Sequence, residues 1–317
     1  MKFFITGGTG LIGKRLVAQL AEDPANELVL SSRKSEERLK KLWQKDKIFT
    51  PSQLNKMKVV PFSREILEGE LPDTDCIINL AGSPIFDQKW TKKYKEELIS
   101  SREETTQLLF SVVSSLPKNK QPSLIISGSA IGCYGTSWLT PFDESSAYGE
   151  DFLADVTKRW EAPAKNMNAK IASRKVILRI GIVLDPGGGM LGKMLTPFKL
   201  GVGGKLGSGQ QWISWIHRDD LVRLILHIIS DENYSGPVNA VNNHPVTNTE
   251  FTEELGKALS RPTLIPAPAF GLRALLGERA NFLITGQRVS PSVANKNHFE
   301  FQFDTLPKAL SDLLNKT

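Results

Sequence analysis

The sequence predicts an α/β protein: a doubly wound parallel sheet with a smaller, mainly helical C-terminal lobe. Three observations predict it. Short apolar runs alternate with amphipathic stretches over the first 184 residues, the order that builds parallel strands joined by crossover helices. The first run passes directly into a glycine turn and a helix. Beyond it all, composition shifts to glycine and then to helical stretches broken by prolines.

Phe3-Phe4-Ile5, ahead of Thr6, reads as a strand buried on both faces. Gly7, Gly10 and Gly13 follow, and Ile12, Leu16 and Leu20 recur on one face of a helix running to Ala21. Gly7 allows the tight turn, Gly10 lets backbone approach a pyrophosphate, and Gly13 lets the helix pack close to the sheet. The pyrophosphate would sit on the free N–H groups and positive dipole end of that helix. An ordinary glycine-rich turn is the alternative; the strand before and the helix after favour dinucleotide binding.

Glu27 to Ser32 reads as a second strand, followed by Arg33-Lys34. Roughly twenty residues past a dinucleotide-binding turn, an acid would bond a ribose 2′-hydroxyl. Here Ser32, Arg33 and Lys34 offer a hydroxyl and two cations, which suit a 2′-phosphate and point to NADP rather than NAD. Arg33 as a plain surface cation is the alternative. Lys58 to Phe62 is a third strand and Cys76 to Gly82 a fourth, with Leu80-Ala81-Gly82 placed where a cofactor crosses the sheet's carboxyl edge. Trp90 to Leu116 carries a helix whose Glu97 and Arg102 face either the cofactor or solvent.

Leu124 to Ser129 is a fifth strand, Ala130 to Gly135 a loop with Tyr134, Asp151 to Ala164 a helix, and Val176 to Leu184 a sixth strand. Ten glycines between Gly181 and Gly209 predict a mobile loop, a lid or substrate loop. Trp212 to His217 then leads into a helix with Leu221, Leu224, Ile225 and Ile228 inward, and helices and proline turns follow from Val246. The expected division is a cofactor-binding domain of 1–184 and 214–242, and a substrate lobe of 185–213 and 243–317.

The net charge of +6 is scattered; its densest cluster, Arg38 to Lys47, is interrupted by acids and apolar residues. That reads as a solvated helical face and gives no nucleic-acid patch. Two cysteines without paired spacing suggest a reducing compartment and no zinc site. Met1-Lys2 runs directly into a strand, leaving no room for a signal peptide, and no apolar run approaches membrane-spanning length. A cytoplasmic location is expected, with no membrane partner; a homodimer is left open.

Thr6-Gly-x-x-Gly-x-x-Gly13, Asn79-Leu-Ala-Gly82, Ser127-Gly-Ser-Ala130 and Trp215-Ile-His-x-x-Asp220 together resemble the extended short-chain dehydrogenase/reductase superfamily. More narrowly, the chain resembles its atypical epimerase-family branch, which carries a C-terminal domain of unknown function. Some members of that branch are labelled cell-division inhibitors or nucleoside-diphosphate-sugar epimerases. Further matches run from Ser101-Arg102 through Trp160-Glu161 to Gly286-Gln-Arg-Val289 and Pro291. The resemblance covers essentially the whole chain and implies a Rossmann-like domain binding NADP(H). It implies cofactor contacts at Gly7, Gly10, Leu11, Ile12, Ser32, Arg33, Leu80, Ala81, Glu97, Arg102 and Val183; Gly13 and Gly82 join them from the motifs. Two departures stand out. Ser83 replaces a frequent Glu, and His298-Phe-Glu-Phe301 replaces a Gly-Phe-x-Phe pattern, read as a surface change.

Enzymes of this superfamily use Tyr-x-x-x-Lys, whose spacing puts phenol and ammonium on one helix face. None of the four tyrosines has lysine four residues on, and counting back from Glu161 the pair falls on Leu153 and Thr157. Three readings follow. The first is an NADP-dependent oxidoreductase or epimerase acting on a small carbonyl or sugar-nucleotide-like substrate. There Ser129 would bond the substrate oxygen and Tyr134, Glu144 or Lys158 would move the proton. Tyr134 follows Ser129's strand most directly, with a packing role as its alternative; Glu144 and Lys158 also read as solvated surface charges. The second reading is a catalytically weak NADP(H)-sensing binding protein, and the third, cell-division control, rests on labels alone. His217 reads as orienting its loop. The four histidines have no ligand spacing, so no metal is expected, and no nucleophile elbow supports a hydrolase triad.

Overall fold

The computed structural model describes residues 1–46, 48–166, 171 and 173–315. In chain order, its first half comprises β1 (Lys2–Thr6), α1 (Gly13–Leu20), β2 (Glu27–Ser31), α2 (Glu36–Asp46), α3 (Pro51–Lys56), β3 (Met57–Val60) and α4 (Arg64–Glu70). Then come β4 (Cys76–Asn79), α5 (Lys92–Ser115), β5 (Leu124–Ala130) and α6 (Phe152–Asn166). Two more strands, Arg174–Ile180 and Gly236–Ala240, complete a seven-stranded parallel sheet. Its order is Gly236–Ala240, Arg174–Ile180, β5, β4, β1, β2, β3.

Alternation along each strand sends side chains to both faces of the sheet. Phe4, Val29, Ile77, Ile125 and Ile177 join Leu67 and Leu71 by α4 and Leu109 to Val113 of α5 in one buried cluster. On the other face Ile5 and Leu30 come together with Val17 of α1 around Gly8. Helix starts follow local chemistry: Thr50 and Gln53 cap α3 reciprocally, with Pro51 at its first position. In α2, Leu39 and Trp43 are buried while Glu37, Arg38 and Lys41 face solvent, as the interrupted charge pattern predicts; Lys47 lies outside the described residues. No helix of the described residues is long and apolar enough to cross a membrane.

Three element expectations are corrected. The glycine-rich stretch holds a helix, Gly189–Lys199, whose Leu191 and Phe198 are buried with Trp215, Phe251 and Leu310. The expected sixth strand is two, Arg174–Ile180 in the main sheet and Ile182–Leu184 paired with Trp215–His217. They break at Gly181, where an added Cβ would stand 2.5 Å from Val241 Cγ1. Gly236–Ala240 is a strand the sequence reading passed over.

Residues 1–83, 97–129 and 159–178 form one compact unit; residues 84–96, 130–158 and those from 179 onward form a second. These bounds differ from the expected ones, because 84–96, 130–158 and 214–242 group with the C-terminal residues.

Candidate functional site

In the first unit, Thr6 stands in register with Ser31 of β2 and Asn79 of β4, and Asn79 with Ser127 of β5. From β1 the chain winds one way through β2 and β3 and the other way through β4 and β5. Crossovers that diverge in this way leave a crevice outside the strands' carboxyl ends. The Gly7 turn and Leu80-Ala81-Gly82 emerge there together. Gly7 has φ 72°, and a Cβ on it would lie 2.5 Å from the Leu80 carbonyl carbon, so only glycine lets these backbones meet. At Gly13 a Cβ would collide with the Gly7 carbonyl oxygen, which fixes how closely α1 starts. Gly10 N–H closes the turn on Gly7 O at 3.0 Å, and Leu80 N–H donates to Thr6 O at 3.1 Å. The Leu11 and Ile12 amides make no hydrogen bond among the described residues, and no side chain caps α1. Free donors and the dipole's positive end make a receptor for an anion.

A buried network fixes that receptor. Thr6 Oγ1 donates to Asn79 Oδ1 at 2.5 Å, and Asn79 Nδ2 donates to Thr106 Oγ1 of α5 at 3.0 Å. Ser83 is held on three atoms. Its N–H donates to Ser101 Oγ at 3.1 Å, its hydroxyl to Glu97 Oε1 at 2.9 Å, and its carbonyl accepts from Arg102 Nη2 at 2.9 Å. Arg102 is buried, also donates to Leu98 O at 3.0 Å and stacks 4.9 Å from the Trp160 ring. Glu97 and Arg102 therefore position the segment after β4, which is how they bear on anything bound along it. At the end of β2, Ser32 Oγ accepts from Lys34 N–H at 3.0 Å. Arg33 is exposed, and among the described residues no carboxylate pairs it. The following acid, Glu36, is occupied by Lys40 at 2.6 Å, whose hydrogen bond holds that carboxyl below its usual value.

Ser129 Oγ donates to Glu161 Oε1 at 2.6 Å, with both residues buried, and Glu161 Oε2 lies 3.4 Å from Lys165 Nζ one helical turn on. Glu161 joins Ser129 as a candidate site residue, and the carboxylate of the Trp160-Glu161 motif is the signal for it in the sequence.

The second unit holds Tyr134, and the structure speaks for its packing role. It is 3% exposed, donates to Asn239 Oδ1 at 2.7 Å and accepts from Arg179 Nη1 at 2.9 Å. Burial pushes its phenol far above the ordinary value, the opposite of what an acid/base phenol needs. Glu144 accepts from the N–H groups of Asn239 and Val293 at 3.0 and 3.2 Å, and burial raises its carboxyl. It is a structural anchor for those two segments and no surface charge. Thr157 donates to its own helix carbonyls at Leu153 and Ala154, both 2.9 Å, so its hydroxyl replaces nothing in the missing dyad. Val183 is half-buried in register with Ile216. His217 orients its loop as expected, its Nδ1 accepting from Asp219 N–H at 3.1 Å to cap the helix Arg218–Ser230. Its Nε2 faces Asp312 Oδ2 at 3.5 Å, and its ring stacks on Phe303 at 3.7 Å.

The site geometry can be set beside known proteins. Residues 3–242 match the family model described as the NAD dependent epimerase/dehydratase family, and residues 267–313 match a domain of unknown function, DUF1731. The chain belongs to the NAD-dependent epimerase/dehydratase family. Within it, the chain is 37% identical over 316 residues to a chloroplastic SDR39U1 homolog of Arabidopsis thaliana, covering 99% of this chain and 87% of that one. An epimerase family protein of Staphylococcus epidermidis is 34% identical, with 99% of both covered. Among solved structures, human epimerase family protein SDR39U1 (isoform 2) with NADPH superimposes with a TM-score of 0.85 at 32% identity, covering all of both chains. A nucleoside-diphosphate sugar epimerase of Corynebacterium glutamicum gives 0.73 at 28% identity, covering all of this chain and 58% of that one. The Rossmann-like expectation and the epimerase-family resemblance both hold for this family member.

Proposed function

We propose that the chain binds NADP(H) on the Gly7–Gly13 turn and acts as an oxidoreductase or epimerase on a small carbonyl or sugar-nucleotide-like substrate. One observation carries this reading: an uncapped glycine turn pressed onto Leu80-Ala81 at the strand reversal, with its Leu11 and Ile12 amides free. The likeness to the human protein with NADPH supports it. The Leu11 and Ile12 amides and the backbone at Gly7 and Gly10 would hold the pyrophosphate, with Leu80 to Gly82 alongside. Ser32 and the unpaired Arg33 would hold a 2′-phosphate. When bound, the cofactor supplies a hydride donor or acceptor.

Proton movement falls to Ser129 and Glu161. Because the Ser129 hydroxyl already points at a carboxylate, its oxygen is left to accept. A substrate hydroxyl would give its proton to Ser129 Oγ as Ser129 passes its own to Glu161, and the reverse order protonates a carbonyl oxygen. The second reading, an NADP(H) sensor, is favoured by Leu153 and the self-bonded Thr157 at the dyad positions.

A screen of small carbonyls and sugar nucleotides, followed by nicotinamide fluorescence, separates the two. Ser129→Ala and Glu161→Gln should each lower turnover by about 100-fold or more with NADPH affinity unchanged. Binding without turnover of any compound supports the sensor. Unchanged turnover in both variants removes Ser129 and Glu161 from the chemistry.

A further inference from the structure

Arg279 is a buried cation without an acid. It ends the short helical turn Gly277–Arg279, is 9% exposed, and no Asp or Glu pairs it among the described residues. Its Nη1 donates to the Phe86 carbonyl at 3.2 Å and its Nε to the Leu276 carbonyl at 3.4 Å. Among the described residues its Nη2 makes no hydrogen bond, and it is not sealed from solvent. A second cation meets the same carbonyl. Lys193 Nζ, from helix Gly189–Lys199, lies 3.4 Å from Phe86 O and 5.6 Å from the centre of its ring. The Phe86 ring is backed by Phe282 at 5.3 Å. One carboxylate, Asp87, stands 3.5 Å from Lys193, and the adjoining Lys95–Glu278 pair, 2.6 Å apart, is self-neutralising. Two cations against one acid leave a single positive charge.

Burying a guanidinium without a counter-charge is costly, and the hydrogen bonds to two carbonyls use two of its five N–H donors without neutralising it. The free Nη1 and Nη2 hydrogens lie in one plane and present a fork to two oxygens, while Lys193 adds a point charge. We propose that Arg279 and Lys193, above the Phe86 carbonyl, form a subsite for a singly charged oxyanion, the carboxylate or phosphodiester group of a small molecule. The residues all belong to the second unit and the glycine turn to the first, so this subsite stands independently of the cofactor reading.

Saturation-transfer NMR tests it, with acetate and dimethyl phosphate as probes at constant chloride ionic strength. At least one probe should bind saturably to the wild-type chain. Arg279→Met and Lys193→Met should each weaken it by about tenfold or more, with NADPH affinity unchanged. Acetate alone would assign a carboxylate and dimethyl phosphate alone a phosphodiester. Absence of saturable binding by either probe, or equal binding in both variants, overturns the proposal. Should Arg279→Met not fold, Lys193→Met decides, since that side chain is 55% exposed. Loss of NADPH binding with probe binding intact would count against the cofactor reading alone.

Discussion

At Gly7 the left-handed backbone and the approach to Leu80 act on the same residue. Gly7→Ala should cost about 2–4 kcal/mol, from positive-φ strain plus a collision with backbone, and should remove cofactor binding. A urea midpoint equal to wild type would contradict that. His298 is the converse case. It is exposed with φ 56°, at a position where the resembling pattern has glycine. The surface reading of that departure stands, and the structure adds its strain. His298→Gly should stabilise by about 0.5–1 kcal/mol, the left-handed penalty less the entropy glycine adds to the unfolded chain; a lowered melting temperature would refute it. The glycine turn was legible in the sequence because its spacing is local. The Thr6–Asn79 and Ser129–Glu161 bonds were not, since their partners lie 73 and 32 residues apart and no periodicity links them. Tyr134 reads as a catalytic candidate from its place after Ser129, while its bonds to Asn239 and Arg179, 105 and 45 residues away, are not legible in the sequence.

Elements were legible where pattern and burial agree. The apolar strands β1, β2, β4 and β5 and the face of α1 are of that kind. Gly189–Lys199 was hidden because its glycines and Pro197 argue against a helix; burial of Leu191 and Phe198 outweighs that propensity. Gly236–Ala240 was hidden because Gly236-Pro237 reads as a turn, although its place at the sheet's edge tolerates proline. The helix Arg218–Ser230 carries a pH prediction. Burial, the largest effect, holds the His217 imidazole below its ordinary value, while Asp219, Asp220 and Asp312 pull it up and Arg218 pulls it down. The unfolded chain therefore binds the proton first on acidification. The stability contributed by the neutral ring is full above about pH 6.5 and is lost as pH falls toward the lower folded-state value. His217→Asn, which keeps an acceptor for Asp219 N–H, should flatten the fall in melting temperature from about pH 6.5 to 5. An identical slope in both proteins would show that other groups set it.

For the whole molecule, the family match over residues 3–242 and the likeness to human SDR39U1 agree with a sheet whose reversal point carries an uncapped glycine turn. Neither names a substrate. The missing Tyr–Lys dyad puts the weight of the functional account on the cofactor. Calorimetric titration with NADPH and with NADH, on the wild-type chain and on Arg33→Ala, tests that most directly. NADPH should bind at least about tenfold more tightly than NADH, because a phosphate gains a charge-assisted partner, and Arg33→Ala should erase the difference. If neither nucleotide binds, the turn is architectural and the account fails; equal affinities would overturn the choice of NADP.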